Sequence, residues 1–318
     1  MNTVQTIPNW RTIGTKLQEC KTLEEAMIVS GLDWDVIEKP LYLAEDVPVT
    51  SHKAIVNSLN NDVLGVVGSG YHPLQNIEAF RFFDNILESG AAVLEVAGSF
   101  RGGKRVWVQA KLNNSTQDVV KNDPVESYLC LYNAHDGSLA VGIMFTPKRL
   151  VCANMLQLAI EAAEKQQLRN VRIRHTSGME EALKVTKQAI DVSRKTFDFT
   201  VEQYKLIQRK QLPIDGVRNY VREIFEVEKE DKDPRCVSII EENHETGRGS
   251  DIVGVRGTYW GAFNAFTEWL DHQRGKSEEK RLDSSMFGNS SKLRHKAFDI
   301  ALAKASGLDS HQFSGTVQ

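Results

Sequence analysis

The sequence predicts an α+β fold, in which an antiparallel sheet of two hairpins packs against helices and is followed by a mainly helical C-terminal region. Three observations predict it. Between positions 91 and 145 apolar residues alternate with a period of two, interrupted by Gly-Gly and Asp-Gly turns. On either side of these strands run stripes of helical spacing: Ile77, Phe80, Phe83 and Leu87 before them, and Cys152, Met155, Leu156, Ala159, Ile160 and Ala163 after. From Met179 onward helical spacing dominates. The chain therefore divides into a lead-in over 1–60, an α+β core over 61–178 and the helical region over 179–318.

Taken in order, residues 1–60 read as an irregular lead-in. Thr22 to Ser30 makes a short helix stopped by Gly31, and Pro40 and Pro48 interrupt the stretch after it. Asp62 to Val67 is a short strand ended by Gly68-Ser69-Gly70. Asn76 caps a helix over 77–89, with Gly90 at its stop. The strand Ala91–Phe100 enters the turn Arg101-Gly102-Gly103-Lys104, and Arg105–Leu112 returns with Val106, Val108 and Ala110 on one face. A polar loop over 113–123 precedes the second hairpin, in which Glu126–Tyr132 and Leu139–Phe145 flank Asn133-Ala134-His135-Asp136-Gly137-Ser138.

Thr146-Pro147 reads as a helix start, because Thr caps and Pro suits the first helical position, which predicts a helix over 147–165. Beyond Met179 the spacing Leu183, Thr186, Ile190, Ser193, Phe197, Thr200, Tyr204 and Ile207 alternates four and three, a long helix whose Ser/Thr-rich seam favours packing against its own chain. An acidic loop (Glu226 to Asp233), an aromatic helix (Tyr259, Trp260, Phe263, Phe266, Trp269), a Gly/Ser break at 287–291 and a last helix, Leu293–Ala305, complete the chain.

Composition excludes several function classes. With 41% hydrophobic and 25% charged residues the 318-residue chain is globular. No run approaches the roughly 18 apolar residues that cross a bilayer, and the N-terminus lacks the pattern of a secretory signal, so a cytoplasmic protein with no membrane contact is expected. Cys20, Cys130, Cys152 and Cys236 form no Cys-x-x-Cys pair, which argues for reduced thiols and against structural zinc. The net charge of −3 is unevenly spread. Residues 1–90 carry 6 Lys/Arg against 12 Asp/Glu, residues 145–211 carry 13 against 7, and residues 222–251 carry 5 against 10. A basic middle between acidic flanks suits a local polyanion contact.

The turn His135-Asp136-Gly137-Ser138 holds the residue types of a nucleophilic triad, but neighbours on a tight turn point apart, and Asp-Gly is a sufficient turn signal by itself. His135, Cys152 and His175 lack a recognised metal spacing, and Cys152 reads as a small core residue. Glu241, Glu242, His244 and Glu245 read as a solvated loop. Gly247-Arg248-Gly249-Ser250 and Gly254-Val255-Arg256-Gly257 lack the ending of a phosphate loop. No cofactor is expected, and catalysis is the less favoured reading. Basic residues among aromatics are the better signal: Arg101, Lys104 and Arg105 at a hairpin tip with Trp107 behind, Lys148 and Arg149 in the expected helix start, and Arg172 and Arg174 beyond that helix. Single strands need cations for phosphates and flat rings for bases. The competing reading of the same residues is solubilising charge beside a core Trp.

The segments Gly70-Tyr71-His72-Pro73-Leu74, Gly102-Gly103 with Val106-Trp107-Val108, His135-Asp136-Gly137-Ser138 and Phe145-Thr146-Pro147-Lys148-Arg149-Leu150-Val151-Cys152-Ala153-Asn154 resemble an uncharacterised phage/plasmid-like protein family. Arg174-His175-Thr176, Trp260-Gly261-Ala262-Phe263-Asn264-Ala265 and Ser284-Ser285-Met286-Phe287-Gly288 extend that resemblance over most of the chain. It implies no particular activity. The order helix, hairpin, long connection, hairpin, basic helix is similar to the core of single-strand annealing proteins. That similarity implies ring or filament homo-oligomers with single-stranded DNA in a basic groove between hairpin and helix. The leading expectation is therefore a single-stranded DNA-binding and annealing accessory of phage or plasmid recombination and replication. The alternatives are a module that binds and blocks a host defence protein, working through the 179–211 helix and the acidic flanks, and a metal-dependent hydrolase around His135, Asp136 and His175.

Overall fold

Helix formation begins where a cap is available. In the computed structural model, which describes residues 13–151, 179–228 and 230–307, Thr22 accepts a hydrogen bond from the Glu25 N–H (3.2 Å) and opens α1 (Leu23–Ser30). Gly31, at φ 66°, closes it in the left-handed region that glycine enters without a Cβ clash. Replacing Thr22 with Ala orphans that N–H and is expected to lower stability by about 1 kcal/mol. The check is a lower urea midpoint at unchanged slope.

The segment expected to be irregular instead supplies strands. Before α1 lies β1 (Thr15–Lys16); after it β2 (Val36–Tyr42) and β3 (Pro48–Asn57) join β4 (Val63–Gly68) in an antiparallel sheet of order β2-β3-β4. Neither proline breaks a strand. Pro40 lies in edge strand β2 just before a register shift, and Pro48 is the first residue of β3, positions that tolerate a missing ladder N–H.

The helix expected over 77–89 is two short pieces, α2 (Asn76–Phe80) and α3 (Phe82–Glu88), joined at Arg81. Its cap is Gln75, whose N–H donates to Glu78 (3.3 Å), while Asn76 turns inward and donates to the Leu32 carbonyl (2.9 Å).

Both expected hairpins lie in one sheet. It contains β5 (Ala92–Phe100), β6 (Arg105–Asp118), β7 (Pro124–Ala134) and β8 (Gly142–Arg149), antiparallel, in the order β1-β5-β6-β7-β8. The turn between β5 and β6 places Gly102 and Gly103 at φ 67° and 89°. Thr146-Pro147 does not start a helix. Strand β8 runs through it, pairing Tyr128 with Thr146, Ser127 with Pro147, Glu126 with Lys148 and Val125 with Arg149. Pro147 is accepted because β8 is an edge strand. The rest of the expected 147–165 helix from 152 onward, with Cys152, lies outside the described residues.

The helical region comprises α4 (Met179–Arg209), α5 (Ile214–Ile224), α6 (Val237–Thr246), α7 (Tyr259–Glu268), a π-helical turn (Trp269–Gln273), α8 (Glu278–Phe287) and α9 (Asn289–Ser306). The seam of α4 packs within its own chain as expected. Phe197, Val201, Tyr204 and Ile207 share a core with Trp260, Phe263 and Phe298 and with Val125 and Phe145 of the sheet, and Ser193, Thr196 and Thr200 are buried beside them.

One face of the main sheet, through Leu94, Ala97, Val106, Val108, Ala110, Leu129 and Leu131, packs with Leu23 and Met27 of α1, Phe80 of α2 and Phe83 and Ile86 of α3. The opposite face, through Val96, Phe100, Trp107 and Cys130, meets Leu282 and Met286 of α8. Among the described residues no helix is long and apolar enough to cross a membrane.

Candidate functional site

Strand alternation sorts the basic residues onto faces. Arg105, Trp107, Gln109 and Lys111 of β6 share one face, and the register puts Tyr132, Cys130 and Tyr128 of β7 and Thr146 of β8 beside them. Lys148, two residues beyond Thr146, shares that face; Arg149 projects to the other. The basic residues at 148 and 149 therefore part company because their backbone is a strand.

At one end of this face is the β5–β6 turn. Arg101 adopts φ 56°, a left-handed conformation uncommon outside glycine, and its backbone N–H donates to Glu279 Oε1 at 2.7 Å. Its guanidinium donates to Asp283 Oδ2 from Nε (2.9 Å) and Nη2 (2.8 Å). Arg105 Nη1 donates to Asp283 Oδ1 (2.7 Å), and its Nη2 donates to Ser138 Oγ (3.2 Å). The Arg101 side chain is 51% exposed and that of Arg105 10%. Lys104 is half-buried.

The middle of the face is aromatic. Trp107 stacks on Phe100 (ring centroids 5.7 Å apart), and Phe287 of α8 stands edge-on to Tyr132 (4.9 Å) and Phe100 (6.4 Å), with the Arg105 guanidinium 5.6 Å from its ring centre. Trp107 is boxed in. A Cβ on Gly14 would stand 2.8 Å from its ring, and one on Gly98 3.1 Å.

The far end is polar and buried. Tyr128 donates its hydroxyl proton to Glu126 Oε2 (2.8 Å), Lys111 pairs with Glu126 Oε1, and Lys148 Nζ lies 4.0 Å from the Tyr128 ring centre, a cation–π distance. Burial, with the nearby Glu95 and Glu126 carboxylates, holds the Tyr128 phenol far above its ordinary range. Burial also pushes the Cys130 thiol up to about 12, against a smaller opposing pull from Lys148.

These positions correct the expected groove. Trp107 is 1% exposed and offers no free ring face in this conformation; Lys148 is covered, and Arg149 lies on the opposite side. There Arg149 Nε donates to Asp123 Oδ1 (2.6 Å), while its Nη1 and Nη2 donate to the carbonyls of Arg248 and Gly249 (both 3.2 Å). The residues brought together are Arg101, Lys104, Arg105 and Trp107 at the tip and Lys148 farther along the same face. Arg172 and Arg174 lie outside the described residues.

His135 and Asp136 point apart, as the turn reading requires. Asn76 Nδ2 is committed to Leu32, so Asn76 Oδ1 accepts, and His135 Nε2, 2.8 Å away, is the donor. Burial lowers the His135 imidazole to about 4, with Asp136 opposing. Asp136 caps its own turn by accepting the Ser138 N–H (2.9 Å). Among the described residues no three His, Cys, Asp or Glu side chains are grouped to hold a metal ion; His175 and Cys152 are outside that set. Glu241, Glu242, His244 and Glu245 are helical rather than in a loop, and His244 is buried on α6 with Nε2 accepting the Gly257 N–H (3.2 Å).

Residues missed from sequence are the acids that fix the arginines: Asp283 and Asp123, which accept from guanidiniums, and Glu279, which accepts the Arg101 backbone N–H. The class so defined is an α+β protein with a mixed cationic and aromatic sheet face closed by a helix. The chain belongs to the family described as domain of unknown function (DUF932), which matches residues 63–295. The match spans β4, the hairpins and the helices into α9. No curated protein matches the chain, and no solved structure does.

Proposed function

We propose that the protein is a single-stranded DNA-binding and annealing accessory of phage or plasmid recombination and replication, acting without catalytic turnover and as a homo-oligomer. The observation that carries this reading is the β5–β6 tip, where the turn bearing Arg101 and Lys104 leads into a face on which the Arg105 guanidinium lies 5.6 Å from the Phe287 ring and Phe100, Trp107, Tyr132 and Phe287 cluster. Cations for phosphates and rings for bases are what an unpaired strand requires.

A labelled oligothymidylate titrated by anisotropy over a salt series tests the proposal. Each phosphate contact contributes a log-log slope of about −0.7, so replacing Arg101 and Lys104 together with Ala is expected to flatten the slope by about 1.4. Affinity that does not change with salt rejects the reading. A protein partner is the second reading, favoured by Phe199, which is 57% exposed on the outer side of α4 between the charged Asp198 and Glu202.

A further inference from the structure

We propose that α8 is a displaceable cover over the inner part of this site, and that its carboxylates stand where phosphates of a bound strand sit once the helix lifts. This rests on the single-stranded DNA reading above. Asp283 gives one oxygen to Arg105 (Oδ1, 2.7 Å) and the other to Arg101 (Oδ2, 2.9 Å to Nε and 2.8 Å to Nη2), and Glu279 takes the Arg101 backbone N–H (2.7 Å). Two guanidiniums and a backbone N–H converging on anionic oxygens are the donor set that recognises a phosphodiester. The helix meets that set with carboxylates in place of phosphates.

Below the helix the match is incomplete. Arg105 Nε and Trp107 Nε1 are buried donors with no acceptor, on side chains 8% and 1% exposed as residues. Buried donors are ordinarily paired, so two orphans side by side on one face mark a place that an oxygen-bearing ligand would complete. The cover also supplies a ring, since Phe287 stands edge-on to Tyr132 and Phe100 over the layer that holds Trp107. A base inserted there would replace one aromatic neighbour with another.

The helix, ten residues between Gly275, at φ 73°, and the C-cap Gly288, is held on the sheet by Leu282, Met286 and Phe287. Its far side is tied to the π-helical turn and α9, where Ser285 Oγ donates to Asp271 Oδ1 (2.7 Å) and Arg294 Nη1 donates to the Ser285 carbonyl (3.2 Å), so lifting it from the sheet carries those elements with it or breaks these bonds. The ligand class that fits is therefore a phosphodiester chain with an unstacked base. The Arg101–Lys104 surface makes the first contact, and the Arg105–Trp107 interior is reached second.

The test compares the full-length parent with the Glu279→Gln, Asp283→Asn double variant, after circular dichroism has shown equal helicity. The probes are an oligothymidylate and inorganic tripolyphosphate. The expected result is at least tenfold tighter binding of the oligonucleotide by the variant. Should the parent bind the oligonucleotide and the variant bind it no better, the cover is overturned while the DNA reading stands. Gain of tripolyphosphate binding without any oligonucleotide binding upholds the covered anion site and rejects the DNA reading. Failure of the variant to bind either probe rejects both. A measurement on the unmodified chain guards against misfolding: saturating oligonucleotide or tripolyphosphate should speed hydrogen exchange of the α8 amides, and unchanged or slowed exchange there overturns the proposal.

Discussion

Replacing Asp123 with Ala is expected to destabilise the protein by about 3 to 5 kcal/mol, because it strands a guanidinium in the interior. The side chains of Asp123 and Arg149 are both 0% exposed. Asp123 Oδ1 accepts from Arg149 Nε (2.6 Å), and Oδ2 accepts the indole N–H of Trp260 (2.7 Å). One carboxylate thus joins the edge of the main sheet to α7, and Arg149 reaches on to the carbonyls of Arg248 and Gly249. That loop approaches closely because Gly249 lacks a side chain: a Cβ there would lie 2.9 Å from Arg149 Nη2.

The cost comes from breaking the pair more than from the pair's net strength. A buried ion pair returns little beyond its desolvation penalty, so Asp123→Leu combined with Arg149→Met is expected to lose less than Asp123→Ala alone. Urea denaturation of parent, single and double variants measures the difference. A single-variant loss under about 1 kcal/mol would show that water reaches Arg149 and replaces the carboxylate.

Local signals are sufficient where one element decides its own form. Val106, Val108 and Ala110 alternate and Gly102-Gly103 takes positive φ, so the first hairpin is legible. The four-three spacing of α4 is legible for the same reason, and its Ser and Thr residues correctly point to packing within the chain. Thr146-Pro147 is ambiguous in itself. The same dipeptide opens a helix or lies within an edge strand, and the choice is made by pairing with β7, which no local window contains. Pro40 and Pro48 mislead similarly, since a proline breaks a strand only where its N–H would have been bonded.

The site is half legible. Strand parity puts Arg105 and Trp107 on one face, but whether that face is open depends on α8, far along the chain. Arg105 meets Asp283 across 178 positions, and Arg149 meets Asp123 across 26 and Trp260 through it. Nothing in the run Arg281-Leu282-Asp283-Ser284 marks the aspartate as the partner of a hairpin arginine. A basic cluster is visible in sequence, whereas the acids that neutralise it are found only after the chain has folded.

Acidification from pH 6.5 to 4 is expected to remove about 3 kcal/mol of stability through His135 alone. Its imidazole is 0% exposed, its Nε2–H is given to Asn76, Trp34 stands edge-on 5.4 Å away, and burial lowers its pKa from 6.5 to about 4. Because the folded value lies below the unfolded one, the unfolded chain binds the extra proton first. The neutral-histidine contribution is therefore complete above pH 6.5, falls as pH drops through the window, and is gone below about 4. Asp84 acts in the opposite sense. Burial, helped by Glu24 and Glu88, raises its carboxyl to about 6, so protonating it on the way down favours the folded chain. Asp299, raised by burial to about 6, acts in the same sense as Asp84, so these effects overlap in the parent and a bare pH profile would understate that of His135. Comparison with His135→Gln removes the ambiguity, since Asp84 is unchanged and Gln keeps a donor for Asn76. The parent should lose its advantage over the variant between pH 6.5 and 4, and parallel curves through that window would show that His135 accepts its proton without unfolding.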